Sequence, residues 1–295
     1  MTIRCGFIGL GEMGAALARN LAPKGLPATV YDLDAAATNA LVETGATAAT
    51  SVAEVAKNAD VVGVCVPADT HVRDVLCGPD GIFAHAAPHT IVAIHSTVLP
   101  ETVVEMAAEG ESHDIDVLEV PVAGGAARAS VGDALFMVAG DPAVMETARP
   151  YLEAAASKII FAGEPGTAAK LKLAINVLSN LAFGASLEAL LLTRAMGLSQ
   201  ELLEEAGQAI STLGAMQLQY LSSYKLPREA RLAEGLQSYM RSRMEIAQKD
   251  LGHALTMARE CGLSMPMTGL ATQLLPKIYG VDGDNLRGIE GSSQE

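Results

Sequence analysis

The sequence predicts an α/β architecture in two parts, a doubly wound parallel sheet followed by an all-α domain built around one long helix. Three observations carry that expectation. From residue 4 to about residue 162, short apolar β-like runs alternate with Ala-rich helical patterns, the sequence form of a parallel sheet with crossover helices. Gly9, Gly11 and Gly14 directly follow the first run and open the first helical pattern. Beyond Gly166 the β-like runs stop, and a helical pattern without proline continues to about Met196.

Taken in order, residues 4–10 read as a strand and 13–23 as a helix halted near Lys24-Gly25. Residues 28–32 form a second strand and 35–45 a helix, and Ser51 followed by Glu54 opens another with capping-box spacing. Residues 61–66 are a fully apolar strand ending at Pro67, and 90–95 another ending at Ser96-Thr97. Strands at 118–122, 135–139 and 158–162 complete the sheet. Gly163-Glu164-Pro165-Gly166 then breaks the chain, so a first domain is expected over 1–164 and a helical one over 165–280. Its helices are placed at 167–196, 199–212, 214–224, 232–260 and 266–278, and the Gly, Asp and Ser content of 281–295 predicts a flexible tail.

The chain has 295 residues, 34 of them acidic and 20 basic, for a net charge of −14. That balance argues against nucleic acid or an anionic membrane as the main partner, since both reward clustered Lys and Arg. Small anionic ligands, held by local groups, remain open. Half of the residues are hydrophobic, with aromatics at 4% and no Trp, so the core is mostly aliphatic. Cys5, Cys65, Cys77 and Cys261 form no CxxC pair, and the six histidines no HExxH or HxH cluster, so reduced cysteines and no metal are expected. The N-terminus lacks the form of a signal peptide. The uncharged stretch 173–187 is 15 residues long and contains Asn176, Ser179 and Asn180, too short and polar to span a bilayer. A soluble, cytoplasmic protein is expected.

The GxGxxG pattern Gly9-Leu10-Gly11-Glu12-Met13-Gly14 is weak alone, but its strand-to-helix context marks a Rossmann dinucleotide site. The glycines permit a tight turn and close approach of a pyrophosphate, and the helix start supplies free N–H groups. Asp32, at the end of the second strand, suits a ribose diol and repels a 2′-phosphate. Residues 25–56 contain no Lys or Arg, so NAD(H) is favoured over NADP(H). The competing reading, a helix cap, suits Asp34 better. Val66-Pro67 and Ser96-Thr97 occupy strand ends that face the ligand crevice of such a sheet; Thr97 is the better candidate for a polar contact with the nicotinamide half, while Ser96 falls to the substrate side. An ordinary cap or turn is the alternative for each.

Two further segments carry candidate chemistry. Gly124-Gly125, after the strand ending near Ala123, can offer backbone N–H groups to a carboxylate. Lys172 and Asn176 lie one helical turn apart on one face of an otherwise apolar helix. On the residues alone, Lys172 is either a proton-transfer group of lowered pKa or a lysine snorkelling from the helix start. Lys170 is a competitor on another face, with Ala174 rather than Asn one turn on.

Four segments in one order resemble the β-hydroxyacid dehydrogenases: residues 6–14, Val120-Pro121-Val122-Ala123-Gly124-Gly125 with Gly132, Gly166 through Lys172 to Asn176, and Lys249-Asp250-Leu251 followed by Pro266. They span nearly the whole chain. The resemblance implies that Lys172 is the catalytic lysine, with Asn176 its partner, and that the loop at Ala123, Gly124 and Gly125 holds a substrate carboxylate. It also implies that Lys249 reaches the cofactor region and that the protein is a homodimer or homotetramer. Two positions depart from the family pattern. Ala123 stands where a serine is usual, with Arg128 a candidate substitute donor. Ser242-Arg243 stands where an apolar aromatic often lines the pocket. The expected activity is hydride transfer between nicotinamide and a β-hydroxy acid or its semialdehyde or keto form. The alternatives are imine reduction on the same scaffold, against which Lys172 argues, and a non-catalytic nucleotide-binding protein acting through partners.

Overall fold

A computed structural model describes residues 2–281; the tail expectation for 282–295 lies outside the described residues. The chain divides into two compact units between Lys172 and Leu173.

In the first unit, β1 (Cys5–Ile8), β2 (Ala28–Tyr31), β3 (Thr47–Ala48), β4 (Val61–Val64), β5 (Ile91–Ile94) and β6 (Asp116–Glu119) pair in parallel in the order β3-β2-β1-β4-β5-β6. This is the doubly wound order, and the direction of winding reverses between β1 and β4, which opens a crevice at their carboxyl ends. Alternate strand residues enter two different cores: Phe7, Val61 and Ala93 on one face, Ile8, Val62, Val64 and Ile94 on the other. Both faces are therefore covered, which is why these strands read as unbroken apolar runs. The coverings are α1 (Glu12–Ala18), α2 (Ala35–Val42), α3 (Val52–Asn58), α4 (Asp69–Cys77), α5 (Ile82–His85), α6 (Pro100–Ser112), α7 (Gly125–Ala129) and α8 (Pro142–Ala155). Asp34 caps α2 by accepting from Ala36 N. Ser51 caps α3 through Glu54 N, but the Glu54 carboxylate reaches Thr50 instead of closing the box on Ser51.

The far edge departs from the all-parallel expectation. β7 (Val122–Ala123), β8 (Ala134–Ala139) and β9 (Ala156–Gly163) extend the sheet, with β8 antiparallel to both β6 and β7 and parallel to β9. The single strand expected at 118–122 is broken at Val120-Pro121, because proline has no N–H for a ladder. Its two halves lie along the same edge of β8.

Behind this edge is a buried polar pair that sequence reading missed. His95, just past β5, places Nδ1 2.9 Å from Val120 O and Nε2 2.9 Å from the Tyr151 hydroxyl. A carbonyl only accepts, so Nδ1 carries the proton and Nε2 accepts from Tyr151. The ring stacks on Phe7 at 5.7 Å. Burial pushes its pKa down from 6.5 to about 4. The unfolded chain therefore takes up this proton more readily. The stability contributed by the neutral ring is complete above pH 6.5 and is lost as pH falls towards about 4. The loss is of order 3 kcal/mol. Denaturant unfolding across this window should show that extra acid sensitivity in the wild type and not in His95→Gln; parallel slopes would contradict it.

The second unit holds most of α9 (Thr167–Ala195), then α10 (Gln200–Ala209), α11 (Ala215–Ser222), α12 (Arg228–Leu232), α13 (Glu234–Glu260) and α14 (Pro266–Ile278). One core joins Leu187, Leu190, Leu221 and Tyr224; another joins Ala247, Leu251 and Leu275. α9 extends well beyond the uncharged stretch singled out in the sequence. At 29 residues, with a window of mean hydropathy 1.5, it is long and apolar enough to cross a membrane by length and composition, and only 22% of that window is buried.

Candidate active site

The crevice between β1 and β4 begins at Gly9, whose φ of +88° lies in the left-handed region. A Cβ there would collide with the Cys65 carbonyl past β4, and one at Gly14 would collide with the Gly9 carbonyl. Gly11 is different: a Cβ would meet nothing within 4 Å. Two of the glycines are thus required by the protein's own packing, while the third leaves backbone open for close approach of a ligand. Gly11 precedes α1 without a side-chain cap, so the first N–H groups of that helix are not taken by a capping side chain. Glu12 is exposed, Met13 half-buried and Leu10 buried. Asp32 follows β2, and its carboxylate accepts from Leu10 N at 2.5 Å and Asp34 N at 2.8 Å. It is therefore held against the glycine turn. These features fit a dinucleotide, with pyrophosphate at the turn and ribose beside Asp32.

Val66 and Pro67 follow β4, and Ser96 and Thr97 follow β5. Ser96 is buried, and its hydroxyl accepts from Val66 N at 2.8 Å. It thus joins the two strand ends; Thr97 is half-buried and Pro67 exposed.

Ala123 ends β7, and Gly124 and Gly125 follow with φ of +112° and +80°. This left-handed pair makes the turn into α7 and requires glycine. Arg128, the candidate substitute donor, is exposed and ion-paired with Asp133 at 2.8 Å.

Lys172 is half-buried on α9 and Lys170 is exposed. One turn beyond Lys172, the Asn176 amide donates to Asp250 Oδ2 at 2.6 Å. A carboxylate only accepts, so the Asn176 nitrogen faces Asp250 and its carbonyl oxygen points to the other side of the amide. Asp250 is 3% exposed and its Oδ1 lies 3.2 Å from Lys249 Nζ. Lys249, Asp250 and Asn176 are one polar chain in the second unit. Lys249 and Asn176 were candidates from sequence, whereas Asp250 had no assigned role; its local signal was an Asp on the core-facing side of an amphipathic helix. Asn180 extends the chain by donating to Asn176 O and accepting from Tyr279. Among the described residues no three His, Cys, Asp or Glu side chains group as a metal site.

A doubly wound sheet with this glycine turn defines the class of dinucleotide-binding proteins. The family described as the NAD binding domain of 6-phosphogluconate dehydrogenase matches residues 4–163, and that described as NAD-binding of NADP-dependent 3-hydroxyisobutyrate dehydrogenase matches 166–285. An NAD-dependent L-serine dehydrogenase of Pseudomonas aeruginosa is 36% identical over 91% of this chain and 89% of its own. A 3-hydroxyisobutyrate dehydrogenase of the same organism is 32% identical over 97% and 95%. The crystal structure of a 3-hydroxyisobutyrate dehydrogenase from Salmonella typhimurium superposes with a TM-score of 0.80 at 27% identity, covering 92% of this chain and 93% of that one. The chain belongs to the β-hydroxyacid dehydrogenase family and is an NAD(P)-dependent oxidoreductase acting on a CH–OH group.

Proposed function

We propose that this enzyme interconverts a small β-hydroxy acid with its semialdehyde or keto form, using NAD(H) in preference to NADP(H) and Lys172 as general acid and base. The observation that carries the reading is the half-buried Lys172 one turn from an Asn176 whose amide is oriented by buried Asp250. In the reducing direction Lys172 Nζ donates a proton to the substrate oxygen; in oxidation it takes that proton back. Asn176 offers its carbonyl oxygen to the substrate hydroxyl or to the lysine. The N–H groups of Gly124 and Gly125, with Ala123 before them, hold the carboxylate, and without a serine hydroxyl at 123 the anchoring relies on backbone alone. A bound nicotinamide accepts or supplies the hydride. Thr97, Val66 and Pro67, at the strand ends, line the cofactor, and Lys249, steadied by Asp250, is a further candidate cofactor contact.

The Asp32 carboxylate supports NAD(H): a 2′-phosphate there would meet negative charge, with no Lys or Arg in residues 25–56 to offset it. Leu178 and Leu192 on α9 are 66% and 61% exposed, and buried Asp250 paired to this helix suits an aqueous fold, not a bilayer. We take that apolar helix as the face of a homodimer or homotetramer, working in the cytoplasm, where free cysteines persist.

The test follows NADH absorbance with 3-hydroxyisobutyrate, serine and 3-hydroxypropionate, each with NAD⁺ and NADP⁺. Turnover with NAD⁺ at least about 10-fold better in kcat/KM is expected, from a species that sediments as a dimer or larger. NADP⁺ turned over equally well would remove the cofactor preference, and a sedimenting monomer the subunit reading. Silence across the panel, with NADH still bound, would sink the hydroxy-acid assignment and turn the search to imines and larger carbonyls.

A further inference from the structure

Glu119, the last residue of β6, is 2% exposed. A carboxylate so placed loses its water, and burial pushes its pKa up against the hydrogen bonds that favour the ion. Those bonds all come from one place. Glu119 Oε2 accepts from Gly166 N at 2.9 Å and Ala168 N at 3.2 Å, and Oε1 from Ala169 N at 2.5 Å. They are donors at the start of α9, which a helix cannot satisfy internally. A Ser, Thr or Asp beside the helix start would ordinarily serve, at far lower desolvation cost. Here the acceptor comes from a strand 47 residues earlier.

What lies on either side of this clamp gives it a role. Val120 follows directly and leads through Pro121 to the Gly124-Gly125 turn. On the helix, Lys172 stands less than one turn beyond Ala169. The packing around the clamp is close: Ala168 is fully buried against Met137 and Ala139 of β8, and a Cβ on Gly166, at φ +90°, would lie 3.3 Å from Val104. All of these residues belong to the first unit.

We propose that Glu119 is a positioning residue for proton transfer: it sets the start of α9 against the strand that feeds the glycine turn, so that Lys172 and the Gly124-Gly125 N–H groups address one substrate molecule. The inference rests on the reading of Lys172 as the acid and base. Glu119 is buried with both carboxylate oxygens taken by backbone donors of the α9 start, and it acts through the lysine. In Glu119→Gln an amide NH₂ replaces one acceptor oxygen and faces backbone donors, so the helix start must shift. A displacement of about 1 Å can cost about 100-fold in rate. Glu119→Asp keeps the charge but shortens the reach, and a smaller loss is expected.

The experiment is a double-mutant cycle in the full-length protein, with Glu119→Gln, Lys172→Ala and both together. The probe is NAD⁺ with whichever of 3-hydroxyisobutyrate, serine and 3-hydroxypropionate turns over fastest. The expected result is a fall in kcat of about 10–100-fold for Glu119→Gln, NADH affinity within about 3-fold of wild type, and no further loss when Lys172→Ala is already present. A cofactor-binding Glu119→Gln with wild-type kcat would overturn the proposal, as would losses that simply multiply. Should Glu119→Gln fail to fold, the same cycle is read with Glu119→Asp. The two failures are separable. Full turnover in Lys172→Ala, or a silent wild type, removes the reading of the lysine itself. Collapse of Lys172→Ala beside a fully active Glu119 variant removes only the role of Glu119.

Discussion

Lys172→Ala is expected to lower kcat by about 10²–10⁴-fold, the usual contribution of a positioned acid or base, while NADH binds as in the wild type. The nucleotide turn explains the second half of that statement. Gly9, Gly11 and Asp32 follow the ends of β1 and β2 and Gly14 lies in α1, whereas Lys172 is carried by α9. Two companion variants make the result specific. Lys172→Arg keeps the positive charge but cannot give up a proton near neutrality, so it should be about as inactive as the alanine variant if proton transfer is the role. If the lysine only attracts an anionic substrate, arginine should restore most of the rate. Lys170→Ala serves as the internal control, because that side chain is exposed, and its turnover should match wild type. Steady-state kinetics with NADH titrations on the three variants decide the matter; an active Lys172→Ala would move the acid and base role to another group.

Gly14→Ala is expected to raise the Kd for NADH about 10–100-fold and to lower thermal stability, because overpacking at a backbone contact costs about 1–3 kcal/mol. The added Cβ would strike the Gly9 carbonyl oxygen. Backbone cannot rotate away as the end of a side chain can, and Gly9 is itself held by its N–H, which donates to Tyr31 O at 3.0 Å. The first turn of α1 must therefore move off the strand. Gly11→Ala provides the contrast. With nothing within 4 Å of its Cβ, the fold should melt as wild type. Any loss then falls on the cofactor alone, and would report how closely the backbone approaches the pyrophosphate. Fluorescence titration of NADH and melting curves on both variants read the two effects. Equal melting temperatures for Gly14→Ala and wild type would contradict the packing argument.

How much of the site was legible depended on sequence distance. The glycine turn was readable because its whole pattern lies within six consecutive residues between a strand and a helix. Lys172 and Asn176 were readable as a pair because helical geometry alone puts them on one face. Lys172 was preferred over Lys170 for the Asn one turn beyond it and by the family resemblance, while the difference in burial, Lys172 half-buried and Lys170 exposed, came only with packing. Arg128 read equally as a substitute donor or a surface arginine, and its ion pair with Asp133 could not be seen from the sequence. Ser96 read as a ligand-facing hydroxyl or an ordinary turn residue, and its bond from Val66 N across to the neighbouring strand end was not legible. Asp250 and Glu119 carried no local sign of their partners, which lie 74 and 47 residues away.

The fold shows the same division. Many strands and helices were visible as runs and periodic patterns, but the helices at 69–77, 82–85, 100–112, 125–129 and 142–155 and the short strand at 47–48 were passed over. The reversal of β8 was not visible, since an apolar strand reads alike in either direction. By itself, then, the sequence determined the doubly wound sheet, the helical second part, the nucleotide turn and the Lys172–Asn176 face. Each of these follows from backbone preferences and side-chain periods that act over a few residues. Tertiary structure alone decided how those pieces are held: Glu119 on the start of α9, Asp250 on Asn176, and His95 between Val120 and Tyr151. Buried polar groups must find partners wherever the folded chain brings a donor and an acceptor together, and that meeting leaves no periodic trace in the sequence.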